Sequence, residues 1–316
     1  MIINAGGRTD LVNYFSDWLF NRFEAGNVCS RNPFCPEQVI SYELNPKLVD
    51  CVVFCSKNYE PFLKDFSRIY DNFNVFCHYT ITAYGKDIEP QVPDIDKSIS
   101  ILKNLSLKIG KQRIVWRYDP VIFTPYYSLE EHCRTFDYIS KHLSGYINYA
   151  LFSFVDIYPR VINGIPEITI PDEEMKTEFC RRIGQTAKKN NIKIQTCATV
   201  ESYENLGIGL SGCVTAKALG EALNTEFKNV KHVGIRKNCR CLPMRDIGAY
   251  NTCMNGCKYC YANTRPSEIL SNIARHNPNS PLLIGEIEER DTVKKAKQVS
   301  FLKNGTYNQP SLFSFQ

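Results

Sequence analysis

Short apolar runs alternate with longer amphipathic ones through most of the chain, and this alternation narrows the fold more than any other feature. IINA at the start is predicted as a strand running into the turn GGRTD; LVNYFSDWLFNRFEAG follows with helical periodicity and Gly26 placed to end it. Further strands are predicted in VDCVVFCSKN from Val49, NVFCHYTITAYG from Asn74, RIVWRYDPVIF from Arg113, YALFSFVDIYP from Tyr149 and IKIQTCATV. Asp119-Pro120 is expected to break the strand from Arg113. DKSISILKNLSLKIG, SLEEHCRTFDYISKHLSG and DEEMKTEFCRRIGQTAKKNN read as helices, the second capped by Ser128 with Glu131 in the capping-box position.

Apolar strands covered on both faces imply a parallel sheet wrapped by helices, hence an α/β fold. About six βα units point to a full or partial βα barrel of the TIM type. The expected organisation is a barrel body over 1–198 and a cysteine-rich region over 199–265 that completes it. In that region GIGLSGC is expected as a loop and TAKALGEALN as a short helix. A tail over 266–316 is expected to pack on the body, with a helix in SPLLIGEIEERDTVKKAKQVSFL and an apolar end, GTYNQPSLFSFQ. Polar residues gather where strands end, among them Lys57, Arg117 and Asp119; loop composition alone would also put them there.

Near the C-terminus stands NTCMNGCKYCYANT, in which Cys253, Cys257 and Cys260 have the spacing C-x₃-C-x₂-C and Tyr259 precedes the last of them. The chain holds 14 cysteines, and nothing at MIINAGGRTD resembles an export signal, so a reduced, cytoplasmic setting is expected rather than a disulfide framework. No apolar run approaches the ~18 residues of a membrane helix. Cys51, Cys55, Cys77, Cys133 and Cys180 read as small buried hydrophobes, while Cys29 and Cys35 fall in neither group. Structural zinc would need a fourth ligand for the C-terminal trio, which Cys239 or Cys241 could supply. A [4Fe–4S] cluster held by three thiolates would keep one iron open to a substrate or cofactor.

CMNGCKYC resembles the cluster-binding motif of the radical S-adenosylmethionine (SAM) superfamily, including the aromatic residue before the third cysteine. The resemblance implies that Cys253, Cys257 and Cys260 hold three irons and that SAM chelates the fourth. Reductive cleavage of SAM would then start radical chemistry, with electrons from a donor such as flavodoxin or ferredoxin. In that superfamily the motif follows the first strand; here it comes last, after RDIGAYN, a possible short strand. A circular permutation that sets the last strand beside the first would keep such a site intact. GGRTD, SKN, WRYDP, DIGAYNTC and YCYAN also resemble a bacterial family described as a domain of unknown function, and distantly the spore photoproduct lyase branch. That resemblance implies four further thiols, Cys197, Cys213, Cys239 and Cys241, as ligands of a second [4Fe–4S] cluster.

Arg8, in GGRTD, could meet the substrate or the SAM carboxylate; alternatively GGRTD is a turn with Asp10 or Thr9 capping the next helix. Arg117 in VWRYDP either pairs with Asp119 or grips that carboxylate. Lys57 has a similar choice between solvent and the strand ends. Tyr259, Lys57, Arg8, Arg117 and Asp119 are thus the candidate cofactor contacts. The five histidines form no H-x₃-H or H-E-x₂-H, and there is no G-x-S-x-G, so neither a histidine metalloenzyme nor a serine hydrolase of that type is indicated. A net charge of +5 permits an anionic ligand without indicating a nucleic-acid coat. An iron–sulfur electron carrier and a structural zinc protein that binds a partner or nucleic acid are the alternatives from other classes. A peptide, a nucleic acid and a small metabolite are all compatible as substrate.

Overall fold

The computed structural model describes residues 1–228, 230 and 238–303. Its strands, in chain order, are β1 Ile2–Ala5, β2 Asn27–Asn32, β3 Cys35–Glu43, β4 Cys51–Ser56, β5 Val75–Thr80, β6 Ile114–Val121, β7 Tyr149–Phe154, β8 Lys193–Cys197, β9 Ile208–Ser211, β10 Met244–Asp246 and β11 Thr292–Lys295. Eight of them form one parallel sheet in the order β10-β1-β4-β5-β6-β7-β8-β9. The other three form a small sheet, β11-β3-β2.

Both faces of the large sheet are covered, which is why its strands read as continuous apolar runs rather than as alternating ones. On one face Phe54, Cys77, Tyr79 and Trp116 pack with Trp18, Leu102, Phe136 and Phe179 of the surrounding helices. Those helices are Ser16–Ala25, Ile95–Ile109, Leu129–Leu143 and Glu173–Lys189. On the other face Ile2, Val53, Phe76, Val115 and Leu151 meet Leu219, Ala222 and Leu223 from the helix Ala216–Leu223. Ser128 caps its helix through the Glu131 amide, as its sequence implies.

The sheet curls. The helix Pro159–Gly164, which follows β7, packs on the loop that follows β10, although four strands lie between β7 and β10 in the sheet. A methyl group on Gly164 would lie 2.7 Å from the Lys258 carbonyl oxygen. Among the described residues no strand pairing joins β9 to β10 or closes the sheet into a ring. The two edges are bridged instead by the chain just before β10: the Leu242 amide donates to the Val214 carbonyl at 2.8 Å.

Several elements differ from the sequence expectation. GIGLSGC holds a strand, β9, because Ile208–Ser211 pairs with Ile194–Cys197; its three glycines hid the pattern. The hairpin β2–β3 and its partner β11 were not anticipated. TVKK is strand rather than helix: β-branched Thr292 and Val293 pair along Gln38 and Val39. Asp119-Pro120 does not end β6, which runs on to Val121 with a register shift where proline offers no amide proton. The first predicted helix is two, Leu11–Tyr14 and Ser16–Ala25, divided at Phe15. The apolar end GTYNQPSLFSFQ lies outside the described residues. No helix among the described residues is long and apolar enough to cross a membrane.

Gly212, just past β9, lies against the chain that leads into β10. A Cβ there would stand 2.7 Å from the Arg240 carbonyl carbon and 2.9 Å from the Cys241 nitrogen, both backbone atoms that cannot swing aside. Gly212→Ala is expected to cost ~1–3 kcal/mol, read as a lower urea midpoint with an unchanged m-value. An unaltered midpoint would mean that the edges separate freely.

Candidate metal centre

Pairing of β10 with β1 sets Ile2 beside Met244 and Asn4 beside Asp246, so the chain leaving β10 enters the space at the carboxyl ends of β1 and β4. Asp246 anchors this exit. It accepts from the Asn4 side chain at 3.0 Å and from the Gly248 amide at 2.8 Å, and Arg8 approaches it at 3.8 Å. Arg8 also donates to the Gly248 carbonyl at 3.4 Å and stacks over Tyr250. Thus Arg8 is engaged with the exit of β10.

The loop that follows carries Cys253, Cys257 and Cys260. Asp10 organises it. Its Oδ1 caps the helix Leu11–Tyr14 through the Asn13 amide at 3.1 Å, as foreseen for the turn; its Oδ2 accepts from the Lys57 amide at 3.1 Å and from the Asn255 side chain at 3.0 Å. One buried carboxylate therefore ties the ends of β1 and β4 to the cysteine loop. Asn255 in turn accepts from the Tyr14 hydroxyl at 2.9 Å. Backbone amides of Asn255 and Asp10 are directed at the Cys253 sulfur, and the Ala262 amide donates to the Cys260 sulfur at 3.4 Å. Burial pushes the Cys253 thiol up to about 12 and holds the Cys257 thiol well above the ordinary thiol range, with Lys57 pulling the latter down. Both are buried, and Cys260 is half-buried.

Beside the trio lies a group that the sequence did not signal. Glu89, buried after β5, takes three hydrogen bonds on one carboxylate oxygen: from Lys57 Nζ at 2.8 Å, from Thr82 Oγ1 at 2.9 Å and from the Tyr259 hydroxyl. Burial opposes the Lys57 charge, but Glu89 and Cys257 outweigh it, so the ammonium is held above its ordinary range. Lys57 also sits over the Tyr259 ring, 5.7 Å from its centre.

The other four thiols gather along the opposite edge: Cys197 ends β8, Cys213 follows β9, and Cys239 and Cys241 precede β10. They form a chain of neighbours, Cys197–Cys213–Cys241–Cys239, in which the Cys213 and Cys241 sulfurs are 3.2 Å apart. Among the described residues no three His, Cys, Asp or Glu side chains are grouped as ligands of a single metal ion. All the cysteines are free. The Val214 amide donates to the Cys241 sulfur at 3.4 Å. The hydrogen bond to Cys213, followed by burial, raises Cys197 well above the ordinary range. Cys239 goes the other way: the hydrogen bond from Cys241 lowers it to about 6.

Arg117 lies between the two sets. Its guanidinium pairs with Asp119 and reaches the Cys55 sulfur at 3.7 Å, and its charge bears on Cys197 and Cys213. Asp119 also accepts from Ser153. The ion pair between Arg117 and Asp119, one of the two expectations for these residues, is formed. Cys55 thus meets a charged group, whereas Cys51, Cys77, Cys133 and Cys180 are buried as their sequence setting implies. Buried His78 stands at the same place, lowered to about 3 by burial and then by Arg117. No motif or spacing singled out Glu89, Asp246 or His78. Glu89 sits in the proline-rich loop GKDIEPQVPD among other acids, and only the fold selects it.

A family model described as a domain of unknown function (DUF1848) matches residues 2–262. The chain belongs to this family. The match to DUF1848 takes in both cysteine sets and all five candidate cofactor contacts, and stops two residues after Cys260. None of the curated proteins matches the chain. Among solved structures it is similar to an endoglucanase, with 10% identity, 65% of this chain and 81% of that chain covered, and a TM-score of 0.25. It is likewise similar to the Clostridial cellulose synthase subunit Z (CcsZ) from Clostridioides difficile, with 13% identity, 65% and 83% covered, and a TM-score of 0.25. Similarity at that score carries no argument about the DUF1848 chain.

Two measurements follow from the site's electrostatics. Glu89→Ala would strand a buried ammonium, and is expected to cost ~3–5 kcal/mol in urea unfolding; a loss below ~1 kcal/mol would mean that Lys57 finds water instead. In metal-free protein the hydrogen bond from Cys241 favours the thiolate of Cys239 over those of the other three thiols of its set. The Cys239 thiolate fraction rises as pH rises through about 6. Iodoacetamide should therefore label Cys239 ahead of Cys197, Cys213 and Cys241, about tenfold faster at pH 7 than at pH 5. Equal labelling of all four would contradict this ordering.

Proposed function

We propose that the chain is a radical SAM enzyme whose curled sheet is an incomplete βα barrel, with the cysteine loop at its carboxyl edge. The observation that carries the reading is the C-x₃-C-x₂-C loop, with Tyr259 before its last cysteine, entering beside β1 from β10, a late strand that is parallel to it. That is the arrangement a permuted chain needs in order to bring a late motif to the first strand. In such an enzyme Cys253, Cys257 and Cys260 would hold three irons of a [4Fe–4S] cluster. Bound there, such a cluster would provide the electron for reductive cleavage of SAM.

The donor set suits that group. Backbone amides aimed at the Cys253 and Cys260 sulfurs stabilise thiolate charge, and the Lys57 ammonium lies close enough to Cys257 to offset more of it. Each thiolate of a cubane holds a different iron, so the thiols need not converge on one point. Glu89 fixes Lys57 and Tyr259 against the loop, and Asp10 with Asn255 fixes the loop against the strand ends. Arg8 and Lys57 would be the cations to meet the SAM carboxylate.

Cys197, Cys213, Cys239 and Cys241 would hold a second [4Fe–4S] cluster, since four thiols in contact match its need for four thiolates. Arg117, turned toward Cys197 and Cys213, would then balance the charge of that set, with Asp119 and Ser153 holding it in place.

The test is anaerobic reconstitution followed by dithionite and SAM, with 5′-deoxyadenosine measured by chromatography. Wild-type protein should form it, and a Cys253→Ala, Cys257→Ala, Cys260→Ala triple variant should fall to background. Iron-loaded wild type that forms none would favour an iron–sulfur electron carrier.

A further inference from the structure

A cavity of about 680 Å³ opens between the helix Pro159–Gly164 and the cysteine loop. Its lining includes Gly256, Lys258 and Tyr261, which alternate along the chain with Cys257 and Cys260, so one wall of the cavity is the back of the cysteine loop. Tyr158 and Arg160 supply the facing wall, and the Tyr158 hydroxyl donates to the carbonyl of Tyr259, next to Cys260. The volume lies within the ~300–1,000 Å³ of small-molecule sites.

The charge of this cavity is one-sided. Arg160 and Lys258 line it, and no Asp or Glu does. Arg160 is half-buried, and its Nε makes no hydrogen bond with the protein. Lys258 is exposed and has no ion-pair partner among the described residues. Two cations therefore converge on one space beside the thiols without a protein anion. Tyr158 and Tyr261 add two phenol rings, surfaces on which a flat ring can pack.

We infer that this cavity, behind the cysteine loop, is a binding site for a compound joining an aromatic ring to an oxyanion, held by Arg160 and Lys258. The inference does not depend on the proposed function, and its test does not use SAM. Phenyl phosphate, benzoate and neutral benzyl alcohol are titrated calorimetrically into the anaerobically reconstituted full chain, without SAM or reductant. At least one of the two anions is expected to bind roughly tenfold or more tighter than benzyl alcohol. Preference for phenyl phosphate assigns a phosphate ester, and preference for benzoate a carboxylate. Arg160→Gln and Lys258→Gln should each weaken the preferred anion roughly tenfold. A circular-dichroism melt checks the fold of the first, and the second alters an exposed side chain. Anions that bind no better than benzyl alcohol, or folded variants that bind as wild type does, would overturn the inference. Deoxyadenosine formation, measured separately on wild type, separates the two claims. Anion binding without SAM cleavage would keep the cavity and sink the radical reading; cleavage without anion binding would sink the cavity alone.

Discussion

Parallel pairing of β10 with β1 is the constraint on which the rest of the molecule depends. The pairing is short, three residues long, yet it joins segments some 240 positions apart: Ile2 to Met244, Ile3 to Arg245 and Asn4 to Asp246. So short a ladder would be weak alone. Asp246 reinforces it with bonds from Asn4 and Gly248 and with Arg8 beside it. Gly7 permits the approach, since a Cβ there would fall 2.1 Å from an Asp246 carboxylate oxygen. Through this contact the cysteine loop reaches the ends of β1, β4 and β5, where Asp10, Lys57 and Glu89 wait.

Two buried carboxylates then make the loop a single arrangement rather than a tether. Asp10 and Glu89 each accept several hydrogen bonds, and each gathers donors from different strand ends. Burying such groups is costly, and satisfying them fully is what makes the cost tolerable. Arg117 with Asp119 plays the corresponding part for the four-thiol set. Charged groups thus run in a line from Cys257 through Lys57, Asp119 and Arg117 to Cys213 and Cys197, joining two thiol sets that lie far apart in the sequence.

Much of this was legible in the sequence because its signals are local. The apolar runs at Cys51–Ser56, Val75–Thr80 and Ile114–Val121 are strands with both faces buried, and the long amphipathic stretches are the helices that cover them. The thiol trio could be found from spacing alone. The four-thiol set could not: Cys197 and Cys213 sit on or beside neighbouring strands, and Cys239 and Cys241 join them only because the sheet curls. Family resemblance grouped them where spacing could not. Glu89, Asp246 and Arg160 were invisible for the same reason, since each is an ordinary polar residue until a partner from a distant segment, or the lack of one, gives it a role. β9 was missed because Gly209 and Gly212 break the apolar pattern, although the tight approach of Arg240 requires the second glycine.

The central claim is that one chain holds two iron–sulfur clusters on two separate thiol sets. Counting iron and sulfide in anaerobically reconstituted protein, with Mössbauer spectra on the same samples, tests it most directly. The account expects about eight irons per wild-type chain as two [4Fe–4S] signatures, and about four when either thiol set alone is replaced by alanine. Zinc in place of iron, or an iron content that either replacement abolishes entirely, would contradict it.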